Sequence, residues 1–85
     1  MSDLKDLPSI KLGVYNHYKG LRYEVMGVVR HSESTEPMVL YKPLYGEQGM
    51  WVRPFEMFCE EVEIEGVKIK RFEFEKPYEK EVDIL

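Results

Sequence analysis

A chain of 85 residues is long enough for one hydrophobic core and too short for two. Hydrophobic residues make up 44% and aromatics 13% of it, a globular composition that excludes wholesale disorder. The net charge of −4 argues against generic nucleic-acid binding, which needs a clustered basic face to neutralise phosphates. No apolar run reaches the ~18 residues of a membrane span, so no membrane association is expected. Asp3, Lys5, Asp6 and Lys11 break up any secretory-type leader, and a cytoplasmic location is expected. With Cys59 alone, neither an intramolecular disulfide nor a multi-cysteine zinc site is available.

The acidity belongs to the C-terminal third. Residues 1–55 carry seven basic and six acidic groups, whereas residues 56–85 carry five and ten. The one dense basic run, Lys68-Ile69-Lys70-Arg71, is flanked by Glu63, Glu65, Glu73 and Glu75, a pattern that fits cross-strand charge pairing on a solvated face better than a phosphate site.

In chain order, residues 1–12 are polar, contain Pro8 and read as a poorly ordered lead-in. Val14–Tyr18 is rich in strand formers, and Lys19-Gly20 supplies a turn. Leu21–Ser32 is the longest predicted strand. Simple alternation puts Tyr23, Val25, Gly27, Val29 and His31 on one face and Arg22, Glu24, Met26, Val28 and Arg30 on the other. Gly27 is the natural place for a bend. A polar loop ends at Pro37, and Met38–Tyr45 is the next strand, with Pro43 marking a bulge or an unpaired edge; such an edge would allow a homo-oligomer.

Gly46–Gly49 closes a tight connection into a short strand at Met50–Arg53. Pro54 then suits the start of a helical turn, with Phe55, Phe58, Cys59 and Val62 as an inward stripe. Val62–Ile64, Glu65-Gly66 and Val67–Phe74 read as a final hairpin, and residues 77–85 as a charged tail. Alternating βα units are absent, which excludes a parallel α/β sheet. The prediction is one mainly β domain over residues 13–76: a five- or six-stranded antiparallel barrel, SH3-like or related, with one short helical turn.

Several pieces carry a family resemblance: Tyr15-Asn16-His17-Tyr18-Lys19-Gly20, Tyr23-Glu24-Val25, Gly27-Val28-Val29-Arg30-His31-Ser32-Glu33, Leu44-Tyr45-Gly46, Gly49-Met50-Trp51-Val52-Arg53-Pro54 and Met57-Phe58. In this order and spacing they resemble DUF1653, an uncharacterised bacterial and phage family, with Val29 and Ser34 as mild departures. The resemblance implies a small stand-alone or fused domain without an assigned activity, and it transfers no catalytic residue.

The sharpest polar constellation is Arg30-His31-Ser32-Glu33 at a strand end. Together with His17 and Arg53, and bordered by Tyr45 and Trp51, it is the predicted ligand rim of a binding or adaptor module. The arginine fork suits an anionic or polar small ligand, and a peptide or protein partner is the other occupant weighed. The competing structural reading pairs Arg30 and Arg53 with Glu33, Glu36 or Glu56. Tyr15, Tyr18, Tyr23, Tyr41, Tyr45 and Trp51 are numerous enough to line a groove for a peptide, a stacked base or a cation, with Trp51 expected in the core. A small hydrolase using His17 and Ser32 is the enzymatic alternative, weakened because adjacent His31 and Ser32 point apart. His17, His31 and a glutamate are the only metal set available; no metal and no cofactor is expected. Cys59 is expected as a packing residue.

Overall fold

Chain reversal at Lys19-Gly20 sets up the first strand pair. Gly20 adopts φ 98°, a conformation glycine reaches at little cost, and hydrogen bonds from His17 N to Leu21 O (2.8 Å) and Gly20 N to His17 O (2.7 Å) close the turn. The computed structural model describes residues 6–47 and 49–78. Along them run β1 (Gly13–His17), β2 (Arg22–Arg30), β3 (Pro37–Pro43), β4 (Trp51–Pro54), a single helical turn α1 (Phe55–Phe58), β5 (Glu61–Ile64), β6 (Val67–Lys70) and β7 (Phe72–Lys76). The protein is therefore mainly β, with every strand pairing antiparallel. One sheet has the order β4-β3-β2-β1-β7, and β5-β6 forms a separate two-stranded ribbon.

The five-stranded sheet curls strongly. Flat, its edge strands β4 and β7 would lie four spacings apart, roughly 19 Å. Instead the Arg53 guanidinium of β4 stands 5.6 Å from the centre of the Phe72 ring of β7, and Tyr41 of β3 is 5.8 Å from the same ring. The curl does not become a closed barrel: β4 and β7 remain the two ends of the strand order. Seven strands are found where five or six were expected, because the last predicted strand divides at Arg71. There the backbone leaves the ribbon, Arg71 N donating to Glu60 O (3.1 Å) and Arg71 O accepting from Tyr18 N (2.9 Å), so β7 joins β1.

Bending comes from bulges. The β2–β3 pairing skips a residue between Val25 and Gly27, at the expected bend. One inserted residue reverses the alternation beyond it, so the simple face assignment fails past Val25. Val25 lies opposite Tyr41 and Val28 opposite Val39, which puts Val28 and Arg30, not Val29, on the inner face with Tyr23. A second bulge sits between Val14 and Tyr15 opposite β7. There Glu75 accepts from Asn16 Nδ2 at 2.8 Å and pairs with Arg22 at 3.1 Å.

The core lies in the concavity, built from Tyr15, Val25, Val39, Tyr41, Phe58 and Phe72. Three other expectations change. Met38–Tyr45 is not an edge, since β3 is paired with both β2 and β4. Trp51 is 62% exposed rather than in the core, because β4 ends the sheet. The apolar stripe at Phe55, Phe58, Cys59 and Val62 survives only in part: the helix lasts one turn, with Phe58 buried and Phe55 half-buried, Cys59 beyond it is exposed, and Val62 is half-buried on β5 instead.

In the ribbon, Glu65 and Gly66 take φ 49° and 79°, as the tightest hairpin turns require. Glu61 stands opposite Lys70 and Glu63 opposite Lys68, so opposite charges face each other across the ribbon without closing to ion-pair distance. Of the predicted lead-in and tail, residues 1–5 and 79–85 lie outside the described residues. Nearer the strands, Ile10 packs against the core and Lys11 O accepts the Tyr15 hydroxyl at 2.7 Å.

Candidate functional site

Inner-face positions alternate along each strand, so the curl gathers aromatic rings from four strands, the helical turn and a loop. Phe72 is the hub. Phe58 stacks on it at 4.1 Å and 5°, while His17, Tyr23 and Tyr41 meet its ring at 4.9, 5.5 and 5.8 Å. Tyr23 also meets Tyr41 edge-on at 5.5 Å and Tyr45 at 5.7 Å. These perpendicular contacts are the favourable geometry for ring quadrupoles. They hold each ring by its apolar body and turn polar tips toward one rim.

The polar tips form two short links. The hydroxyls of Tyr23 and Tyr45 lie 2.9 Å apart, either able to donate. Arg53 Nε donates to the Tyr41 hydroxyl at 3.4 Å while its guanidinium faces Phe72. No carboxylate pairs with Arg53 among the described residues, so the expected ion pair with Glu33, Glu36 or Glu56 does not form. An arginine held by a ring and a phenol keeps donors available to a ligand.

His17 sits between the rings and the cations. Its Nδ1 accepts from Lys19 N at 3.1 Å, so the neutral imidazole carries its proton on Nε2. Burial first, then the charges of Arg71, Lys19 and Arg53, hold its pKa below the ordinary 6.5. Around neutral pH His17 is therefore an uncharged donor in a locally positive environment, within a chain of net negative charge.

Comparison with known proteins fits these features into a family. The family model described as "Protein of unknown function (DUF1653)" matches residues 13–74. The chain belongs to the DUF1653 family. A crystal structure of a DUF1653 protein from Bordetella bronchiseptica superimposes with a TM-score of 0.75 at 32% identity, covering 85% of this chain and 95% of that one. No curated protein matches the chain. The match reaches past the Gly13–Phe58 stretch that carried the sequence resemblance and takes in the start of β7 with Phe72.

In this DUF1653 chain the predicted rim divides in two. His17, Tyr45 and Arg53 gather around Tyr23, Tyr41 and Phe72, and Trp51, opposite Tyr41 in the β3–β4 pairing, borders them with an exposed ring. Arg30, His31, Ser32 and Glu33 lie at the far end of β2, roughly 20 Å along the strand from Tyr23. There His31 Nδ1 accepts from Glu33 N (3.1 Å) and Ser34 N (3.2 Å), and Arg30 Nη1 donates to Thr35 O at 3.3 Å. His31 thereby shapes a loop in which Thr35 adopts φ 62°. His17 and Ser32 fall at opposite ends of the strand pair, so the nucleophile–base pair of the hydrolase alternative is not assembled. Among the described residues no three His, Cys, Asp or Glu side chains come together as metal ligands, and no helix is long and apolar enough to cross a membrane.

Two contributors escaped the sequence reading. Phe72 looked like one more alternating strand residue, and nothing local marks it as the ring that meets β2, β3 and β4. Arg71, grouped with the basic run, instead leaves the ribbon toward His17; its Nη2 donates to Glu60 at 2.6 Å.

The Tyr23–Tyr45 link makes a titration prediction. Burial first, then the hydrogen bond to Tyr45, pushes the Tyr23 pKa from 10.0 up to about 12. A raised folded-state pKa means that the unfolded chain loses its proton first. This contribution to stability is thus fully present below pH 10 and is lost as pH climbs toward about 12. In Tyr45→Phe, spectrophotometric titration of the phenols is expected to show one high-pKa tyrosine moved down toward 10.0, with a stability change of only ~0.5–1 kcal/mol for the lost hydrogen bond. An unchanged titration curve would mean that the two hydroxyls are not linked in solution.

Proposed function

We propose that the chain is a small binding module whose concave rim of His17, Tyr23, Tyr41, Tyr45 and Arg53, flanked by Trp51, takes a small anionic ligand carrying a flat apolar group. The observation that supports this most is Arg53, braced by Phe72 and Tyr41 with no carboxylate partner among the described residues. A guanidinium in that setting forks onto the oxygens of a carboxylate or phosphate, and the exposed Trp51 and Tyr45 rings supply a stacking surface. The neutral His17 ring adds an Nε2–H donor that carries no charge of its own. On this reading the curled sheet is an SH3-like half-barrel serving as a cytoplasmic adaptor rather than an enzyme, and the Arg30–Glu33 loop lies outside the site.

Adenosine monophosphate is a suitable probe, with adenosine and inorganic phosphate as its two halves. Anything that binds only the folded state raises the melting temperature. The expected result is a rise with the nucleotide that exceeds either half, with amide shifts at His17, Tyr45 and Trp51. In Arg53→Met, which keeps the apolar stem, affinity is expected to fall about tenfold or more. A response unchanged in Arg53→Met, or shifts confined to residues 31–36, would refute this site.

A further inference from the structure

A second cleft opens on the other side of the Phe58–Phe72 stack, and the proposed rim makes no use of it. Its volume is about 290 Å³, and it is lined by Ile10, Lys11, Tyr15, Phe58, Cys59, Lys70, Phe72 and Phe74. The floor is aromatic: Tyr15 meets Phe58 at 5.6 Å and Phe74 at 5.4 Å. Two lysines from distant segments stand at its margin. Lys11 holds its ammonium 5.1 Å from the Phe74 ring centre, and Lys70 ends β6 close enough for its charge to act on the Cys59 thiol.

Among the described residues no carboxylate lines the cleft. Glu61 faces Lys70 across the ribbon, but neither Lys11 nor Lys70 makes an ion pair among the described residues. An apolar floor under two ammonium groups that no carboxylate contacts among the described residues is complementary to one kind of ligand. We propose that this cleft binds a small amphipathic carboxylate, its ring or short chain on the Tyr15–Phe58–Phe72–Phe74 floor and its carboxylate between Lys11 and Lys70. The size agrees: a cavity of ~150 Å³ holds benzene, so a phenyl ring with a short acid side chain fills about twice that space. An amine of the same shape is repelled by both lysines, and an alcohol gains nothing from them.

The test uses the full chain and three probes of one shape: 4-phenylbutyrate, 4-phenylbutan-1-ol and 4-phenylbutylamine. The expected result is saturable amide shifts at Ile10, Cys59 and Lys70 with the acid, roughly fivefold weaker binding of the alcohol, and none of the amine; two exposed ion pairs are worth about that much. Lys11→Glu/Lys70→Glu, two surface changes whose fold the amide spectrum verifies, is expected to reduce acid binding at least as far as the alcohol's. Arg53→Met is expected to leave it unchanged, which separates this cleft from the rim. Equal binding of acid and alcohol, insensitivity to the double charge reversal, shifts centred on Tyr23 and Tyr45, or no saturable shift in the millimolar range would each overturn the proposal.

Discussion

Replacing Phe58 with alanine is expected to destabilise the fold by ~3–5 kcal/mol, the range for a fully buried phenylalanine. Phe58 is 1% exposed and is the one residue of α1 that is buried in the concavity. It stacks on Phe72 and meets Tyr15 and Tyr41 at 5.6 and 5.5 Å. Truncation therefore leaves a void under three rings at once, and Phe55, only half-buried on the same turn, is left as the helix's remaining apolar contact with the core. At ~0.05–0.15 kcal/mol per residue, a domain of this size has only about 4–13 kcal/mol in all, so the variant will be largely unfolded well below the wild-type melting temperature. Urea denaturation measures it directly. Phe58→Leu, which fills most of the volume, is expected to lose clearly less. A loss under about 1 kcal/mol for Phe58→Ala would show that α1 does not lid the core.

The same residue explains how far the sequence could be read. Phe58 followed Pro54 and Phe55 in a pattern that announced a helical turn with an inward face, and that local signal was sufficient. The Lys19-Gly20 turn and the Glu65-Gly66 hairpin are legible for the same reason: each depends on one glycine at positive φ between short alternating segments. What the sequence hid is non-local. The bulge after Val25 reverses the inner and outer faces of half a strand, and alternation alone cannot announce an inserted residue. Arg71 looked like part of an unbroken strand, because the break comes from β7 pairing with β1, fifty-odd residues earlier in the chain. The rim was half legible. His17, Tyr45 and Arg53, whose chemistry suits a ligand rim, do converge, whereas Arg30-His31-Ser32-Glu33 is a cluster only along the chain and lies at the other end of β2. Adjacency in sequence is a poor guide to a site assembled by curling a sheet.

Gly13→Ala is the second change expected to have a large effect, about 2–3 kcal/mol, from strain and collision acting together. Gly13 opens β1 at φ 142°, a conformation that side chains rarely adopt. A Cβ there would sit 2.5 Å from Lys76 O and 2.8 Å from Pro77 Cα. Both are backbone atoms at the end of the adjacent strand β7, so no rotamer change can relieve the contact. The available response is for the end of β7 to move away from β1, which loosens the Val14–Lys76 pairing next to the bulge and with it the Phe74 wall of the lysine-flanked cleft. Gly27→Ala is the internal control: an added Cβ meets nothing within 4 Å there, and its cost is expected to stay under about 1 kcal/mol. Thermal denaturation compares the two variants, and amide exchange at Val14 and Lys76 reports whether the β1–β7 pairing opens. Equal melting temperatures for the two variants would mean that β1 and β7 are not as close at Gly13 as the geometry requires.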